Sequence, residues 1–126
     1  MNDKTTAQRA LEISVKAASH GFDWEKPEDV LDKMDEELSE IRDALLNGDP
    51  IDHIEEEVGD LFFAVINFNR KMHIDSDRAF LSGVLKFERR FNLLENIIQN
   101  SGRKIDELAS DELEEVWNIV KKEEQK

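Results

Sequence analysis

Apolar residues recur every three or four positions along most of the chain, which is the spacing of one face of an α-helix. Polar or glycine-containing breaks interrupt this pattern near Gly21, in the turn Asn47-Gly48-Asp49-Pro50, and at Gly102. Glycine and proline are the residues that most often end or begin helices. The pattern therefore predicts five helices, over about 5–20, 27–46, 51–73 and 76–101, with a short one after Ser110.

The three long predicted helices each carry an apolar stripe that we expect to form the core. These stripes are Val30, Met34, Leu38, Ile41 and Leu45; Ile54, Val58, Leu61, Val65, Phe68 and Met72; and Phe80, Val84, Phe87, Phe91, Leu94 and Ile98. The aromatic bulk of the third stripe suits a seam within a bundle or between two subunits. The expected fold is an all-α bundle of four to five helices that dimerises through helix faces.

Composition limits the classes of protein to which this chain can belong. The chain has 126 residues, of which 39% are hydrophobic and 37% charged, with two prolines, five glycines and no cysteine. This length suits a single domain over residues 1–126. No apolar run approaches the roughly 18 residues that span a bilayer, and the first residues show no signal-peptide pattern. The lack of cysteine fits a cytoplasmic protein without a disulfide framework.

The charge balance limits the range of partners. Thirty acidic against 17 basic residues give a formal net charge of −13. Such a field repels a phosphate backbone, so we expect neither nucleic-acid binding nor, given the hydropathy, membrane insertion. A small phosphorylated ligand remains compatible with the charge if basic residues and cations surround it.

Two pairs of carboxylates stand out beside the apolar stripes. Glu37 and Glu40 lie three residues apart on the second predicted helix, and Glu57 and Asp60 have the same spacing on the third. Side chains three apart project from the same side of a helix. If the two helices fold back on each other at the turn 47–50, all four carboxylates converge. Hard oxygen ligands on helices suit Mg²⁺ or Mn²⁺.

Basic and aromatic residues on the later helices are the other candidates for chemistry. Lys86 and Arg90 are four apart and share a side, as do Trp117 and Lys121. A solvated basic face and a core tryptophan are the simpler interpretations. No histidine has a glutamate three residues before it, which excludes the di-iron pattern of helical bundles. There is also no glycine-rich phosphate loop and no sign of a serine triad.

Taken together, several segments resemble the MazG nucleoside triphosphate pyrophosphohydrolases, and most closely the C-terminal catalytic domain of the two-domain members. The similar segments are Gly21-Phe22-Asp23-Trp24 and residues 31–40, 55–64, 86–91 and 115–117. The resemblance extends from about Ala7 to Lys122. It implies an all-α pyrophosphatase fold, a dimer or a dimer of dimers, and Mg²⁺-dependent hydrolysis of nucleoside triphosphates to NMP and pyrophosphate, with a role in cleaning the nucleotide pool.

The resemblance also implies roles for particular residues. The residues that would hold the metal and carry catalysis are Glu37, Glu40, Glu57 and Asp60. The residues that would line or support the nucleotide site are Lys33, Lys86, Arg90 and Trp117. A lysine often stands in the family where this chain has His53, and an asparagine where it has Val84. These departures concern substrate preference and leave the metal set complete.

Two alternatives to this function remain open. Related families with the same helical core prefer dUTP, dCTP or phosphoribosyl-ATP. The other alternative is a non-enzymatic helical dimer that binds a protein partner. An intact set of four carboxylates favours an enzyme, because a binding module has no reason to concentrate uncompensated negative charge beside its core.

Overall fold

A computed structural model describes residues 3–124, and Met1, Asn2, Gln125 and Lys126 lie outside this range. The statement that the first residues show no signal-peptide pattern therefore stays a prediction. The described residues form five α-helices, one short 3₁₀ helix and no strand, as expected of an all-α chain. The helices are α1 (Thr6–Ser19), α2 (Pro27–Leu46), α3 (Ile51–Lys71), α4 (Ser76–Asn100) and α5 (Ser110–Glu124), and the 3₁₀ helix is Ile105–Glu107. None of the helices in this range is long and apolar enough to cross a membrane.

Local sequence signals set the helix ends. At the start of α1, the Thr5 hydroxyl accepts a hydrogen bond from the backbone N–H of Gln8, whose side chain accepts one from the Thr5 N–H. This reciprocal capping satisfies two N–H groups that the helix itself leaves unpaired. Gly21, Gly48 and Gly102 adopt positive φ just after α1, α2 and α4. Glycine tolerates this conformation best because it has no side chain. The helix breaks predicted at these three glycines are therefore confirmed.

The structure divides into two compact units, one up to Asp77 and one from Arg78 onward. In the first unit, α2 packs along α3, and α1 packs on α3. The buried apolar residues here are Val30, Ala44 and Ala64. Two of these three are alanines, and small side chains let helix backbones approach closely.

The predicted stripe of α2 is only partly correct. Val30 is buried, but Leu38 and Leu45 are 46% and 69% exposed. The buried positions are instead Val30, Glu37 and Ala44, which follow one another at intervals of seven residues. This line lies beside the predicted stripe, so α3 covers the edge that carries Glu37 and leaves the leucines uncovered. Met72, which directly follows α3 and belongs to the predicted stripe of that helix, is likewise exposed.

The second unit contains most of α4 together with α5. Its core consists of Leu94, Ile98 and Val120, against which Val116 and Trp117 pack. α5 therefore packs on the C-terminal half of α4. Residues 103–109, which the sequence suggests are a polar loop, also contribute Ile105 and Leu108 to this core.

The first half of the α4 stripe does not form core. Phe80, Val84 and Phe87 are exposed, whereas Leu94 and Ile98 at the other end are buried. The cause is the length of α4, because the packing residues of α5 and the 3₁₀ segment are grouped around the C-terminal half of α4. A helix of 25 residues extends beyond a partner of 15.

Candidate active site

Three of the four predicted metal ligands come together in the first unit. Glu37 and Glu40 of α2 and Glu57 of α3 each place a carboxylate oxygen within 4.8 Å of the others. The i,i+3 spacing puts the first two on one side of α2, and the packing of α3 on α2 brings in the third. Asp60 is exposed and does not belong to this group. The convergence predicted for four side chains is therefore observed for three.

In this carboxylate cluster (Glu37, Glu40 and Glu57), Glu37 is buried, Glu57 is half-buried and Glu40 is exposed, and the first two have unused hydrogen-bonding capacity. Glu37 is 4% exposed, and its Oε2 atom is buried without a hydrogen-bond partner. Glu57 Oε2 is buried and unpartnered in the same way. Leaving a buried polar atom unsatisfied costs about 1–3 kcal/mol, and more for a charged group. Two such atoms beside a third carboxylate form a site that a cation would satisfy, so the donor set fits Mg²⁺ or Mn²⁺.

The electrostatics of the cluster agree with this interpretation. The nearby Glu57 carboxylate, close enough to share a proton with Glu40, raises the pKa of Glu40 above its usual range, and loss of solvation adds to the effect. Like charges at short range disfavour full ionisation of the group. The cluster therefore carries repulsion that a bound cation would relieve.

Lys33 lies directly beside the cluster. Its Nζ atom is 3.1 Å from Glu37 Oε1 and 3.5 Å from Glu36 Oε1. The bond to Glu37 raises the pKa of Lys33, with smaller contributions from the charges of Glu36 and Glu37. In this structure Lys33 thus neutralises a buried carboxylate.

A second set of polar side chains packs around α3, and the sequence did not reveal it. Its members form hydrogen bonds with one another. Ser14 donates to Asn67 Oδ1 and accepts from Arg70 Nε, and Asn67 Nδ2 donates to the carbonyl of Phe63. Arg70 also forms two hydrogen bonds to the carboxylate of Asp23. Arg70, and to a lesser degree Lys71, lower the pKa of Asp23, while burial opposes them.

This polar network (Ser14, Asp23, Asn67 and Arg70) fixes the connector between α1 and α2. Lys71 Nζ adds a 2.7 Å hydrogen bond to the carbonyl of Trp24. The neighbouring Phe22 is exposed, so it does not plug the end of the helices. Asn67 lies on the same edge of α3 as Glu57, as its sequence position indicates, but its partners belong to the network and not to the cluster. The network could be predicted only by knowing that Asp23 pairs with Arg70, and the spacing of these residues in the sequence does not indicate that contact.

The other predicted substrate residues belong to the second unit. Lys86 is exposed, and Arg90 Nε donates to Glu124 Oε2. Trp117 is half-buried, with its ring centroid 5.4 Å from that of Phe87. Arg89 also pairs with Glu124, at 2.9 Å, and Arg90 and Arg89 together lower the pKa of that carboxyl. The role of these residues in binding a substrate stays a prediction.

Comparison with known proteins relates this geometry to a family. The sequence profile of the MazG nucleotide pyrophosphohydrolase domain matches residues 25–94, which is more than half of the chain. The chain belongs to the MazG family. The matched segment contains α2, α3 and most of α4, and with them Lys33 and the whole carboxylate cluster. Family membership thus agrees with the all-α fold, and the matched region includes the segment that forms the site.

Two MazG relatives show how far the similarity extends. The nucleoside triphosphate pyrophosphohydrolase/pyrophosphatase MazG of Thermotoga maritima is 38% identical over 112 residues, which is 89% of this chain and 42% of that protein. A nucleoside triphosphate pyrophosphohydrolase of Escherichia coli K12 is 36% identical over 120 residues, 92% of this chain and 44% of that protein. The chain therefore spans less than half the length of these relatives.

Proposed function

We propose that this chain hydrolyses nucleoside triphosphates to NMP and pyrophosphate in the presence of Mg²⁺, with Mn²⁺ as the alternative ion. The observation that carries the proposal is the pair of buried, unpartnered oxygens on Glu37 and Glu57 beside Glu40. The names of the two relatives state the same activity for those proteins. Membership in the MazG family supports transferring it to this chain.

The carboxylates would act first as ligands. Glu37, Glu40 and Glu57 would hold the metal, and Asp60 is the predicted fourth ligand. When bound, Mg²⁺ neutralises phosphate charge and makes a coordinated water more acidic. Lys33 would orient Glu37 through its 3.1 Å contact with Oε1.

The substrate would need basic partners as well. A nucleoside triphosphate carries nearly four negative charges and cannot approach three carboxylates unless cations accompany it. We propose Lys33, Lys86 and Arg90 as phosphate-binding residues and Trp117 as a residue that supports the nucleotide. Because Arg90 already pairs with Glu124, its contribution to substrate binding would require exchange of that partner.

A product assay tests the proposed reaction. The protein is incubated with each NTP and dNTP plus Mg²⁺, and pyrophosphate and orthophosphate are measured separately. We expect pyrophosphate with NMP and, in ¹⁸O-labelled water, label in the NMP, because attack at the α phosphorus joins the water oxygen to the nucleotide. Orthophosphate with NDP, or label in pyrophosphate, would contradict the proposal. Side-by-side rates on dUTP, dCTP and phosphoribosyl-ATP distinguish the related activities.

Self-association is part of the proposal. Large apolar side chains are exposed on the long helices, among them Leu38, Leu45 and Phe62 in the first unit and Phe80 and Phe87 in the second. Exposed apolar residues in such numbers are typical of association surfaces. We propose a homodimer or a dimer of dimers formed through these helix faces. Sedimentation equilibrium at micromolar concentration tests it, and a stable monomer would contradict it.

A further inference from the structure

Glu37 and Glu57, the two members of the cluster with a buried, unpartnered oxygen, share an arrangement. Each has a basic side chain one helical turn earlier on its own helix. Lys33 Nζ lies 3.1 Å from Glu37 Oε1, and His53 Nε2 lies 3.6 Å from Glu57 Oε1. In both cases the other oxygen, Oε2, is buried without a hydrogen-bond partner. Each basic residue thus faces one oxygen of its glutamate and leaves the second oxygen unsatisfied.

Glu57 needs such a partner more than Glu37 does. The side chain of Glu57 is 15% exposed, compared with 6% for Glu37. Surrounding packing therefore restricts Glu57 less, and a glutamate has three rotatable side-chain bonds that must be fixed for Oε2 to stay directed at the cluster. Residues that contact a ligand from behind commonly fix its orientation in metal sites.

His53 has two other acidic neighbours besides Glu57. Its Nε2 atom is also 3.6 Å from Asp49 Oδ2, and its Nδ1 atom is 3.9 Å from Glu56 Oε2. Asp49 is well placed to hold the ring, because its backbone N–H donates a 2.9 Å hydrogen bond to the carbonyl of Ala44 in the turn between α2 and α3. The same Nε2 atom of His53 therefore faces both Asp49 and the carboxylate of Glu57.

We infer that His53 is a positioning residue that orients Glu57 for cation binding, in the way that Lys33 orients Glu37. The inference rests on the proposed function, because it assumes that the carboxylate cluster binds a divalent cation. At 3.6 Å the contact is longer than a hydrogen bond. The effect of removing it should accordingly be smaller than that of removing a ligand. Loss of an outer partner of a metal ligand typically weakens metal binding by about 10–100-fold, and we expect the lower end here.

The sign of the effect distinguishes orientation from simple electrostatics. If only charge mattered, removing a basic side chain beside a cation site should not weaken cation binding. Loss of orientation should weaken it. A weaker affinity in His53→Ala is thus not expected from charge alone. In His53→Lys the ammonium group could contact Glu57 from the same i,i+4 position that Lys33 uses, so this variant should recover most of the affinity despite its added charge.

The experiment measures the dissociation constant for Mn²⁺ without nucleotide, by electron paramagnetic resonance of the free ion at one fixed pH. The proteins are the parent, His53→Ala, His53→Lys and His20→Ala, the last being a matched control at an exposed histidine at the C-terminal end of α1. We expect about tenfold weaker binding for His53→Ala, near-parental binding for His53→Lys and no change for His20→Ala. Circular dichroism checks that all four proteins are folded.

Equal Mn²⁺ affinity in the parent and His53→Ala would overturn the inference while leaving the proposed function intact. Tighter binding by His53→Ala would also overturn it, because His53 would then act only through charge. A folded parent that binds no Mn²⁺ would overturn both the proposed function and this inference. The three results are distinguishable in one titration series.

Discussion

Two polar groups along α3 differ in one respect that separates chemistry from structure. The polar network around Arg70 pairs its buried groups, because Ser14, Asn67 and Asp23 all contact one another or the guanidinium. The carboxylate cluster holds two buried oxygens without partners and a third carboxylate whose pKa is raised. Both groups bury polar atoms, yet only the network is satisfied by the protein itself.

This difference indicates that the polar network contributes to stability and the carboxylate cluster to ligand binding. A satisfied buried network stabilises one arrangement of the chain, in this case the connector held against the end of α3. An unsatisfied cluster lowers the stability of the metal-free protein and is retained when a ligand supplies the missing partner. Substitutions in the network should therefore affect unfolding, and substitutions in the cluster should affect cation binding and activity.

The largest expected effect is on activity in Glu57→Gln. Substituting a neutral amide removes a proposed metal ligand while keeping its size, so pyrophosphate release should fall at least about a hundredfold, the upper range for loss of a group that merely supports a ligand. The measurement is the initial rate with saturating Mg²⁺ and nucleoside triphosphate. Glu55→Gln, an exposed glutamate on the same helix, is the matched control and should retain the parental rate. Similar rates in both variants would show that Glu57 is not a ligand.

The next largest effect is on the stability of Arg70→Met. Methionine keeps much of the apolar volume but leaves Asp23, Ser14 and Asn67 without their shared partner. Because the buried Ser14 and Asn67 lose a hydrogen-bond donor and Asp23 loses its charged partner, we expect a loss of about 1–3 kcal/mol in the free energy of unfolding. Urea denaturation of the metal-free protein measures it. Arg42→Met, at an exposed position of α2, should change stability little, and an equal loss in the two variants would contradict the structural role of the network.

The smallest effect is a gain in stability of the metal-free protein in Glu40→Gln. The raised pKa of Glu40 means that its ionised form is disfavoured in the folded state, so removing the charge should raise the melting temperature at neutral pH. The gain should be full above the raised pKa and should disappear below the ordinary value of 4.5. Mg²⁺ should raise the melting temperature of the parent more than that of the variant.

Controls separate this effect from general charge relief. Asp43→Asn removes one negative charge from an exposed position of α2, one turn from Glu40, and should give a smaller gain and full stabilisation by Mg²⁺. Asp60→Asn tests whether the exposed fourth carboxylate joins the site when metal binds. Loss of Mg²⁺ stabilisation there would support four ligands, and retention would support three. If Mg²⁺ stabilised all these proteins equally, the clustered carboxylates would be ordinary surface acids.

Much of the fold followed from local sequence signals. Capping at Thr5, the proline before α3 and the glycines after α1, α2 and α4 set most helix ends close to their predicted positions. Such signals are local because a helix end depends on the few residues whose backbone groups lack a partner within the helix. The carboxylate pairs were also visible, since a three-residue spacing fixes a shared side of a helix.

Which edge of each helix would be covered was decided only by tertiary structure. Periodicity indicated Leu38 and Leu45 for the core, but α3 instead covers Glu37 and Ala44. Two adjacent edges of an amphipathic helix are closer together than the width of a helix packed against them. The sequence alone therefore does not determine which edge is covered. The convergence of Glu57 with the α2 pair, and the exclusion of Asp60, follow from that same packing.

The sequence by itself determined the all-α class, the helix boundaries, the family resemblance and the side of each helix on which the carboxylates lie. Tertiary structure determined that Arg70 meets Asp23, 47 positions away, and that Glu57 of α3 meets Glu37 and Glu40 of α2. The physical reason is range. Capping and side-chain periodicity act within one or two helical turns, whereas a buried charge or an unsatisfied oxygen is defined by residues that only folding brings into contact.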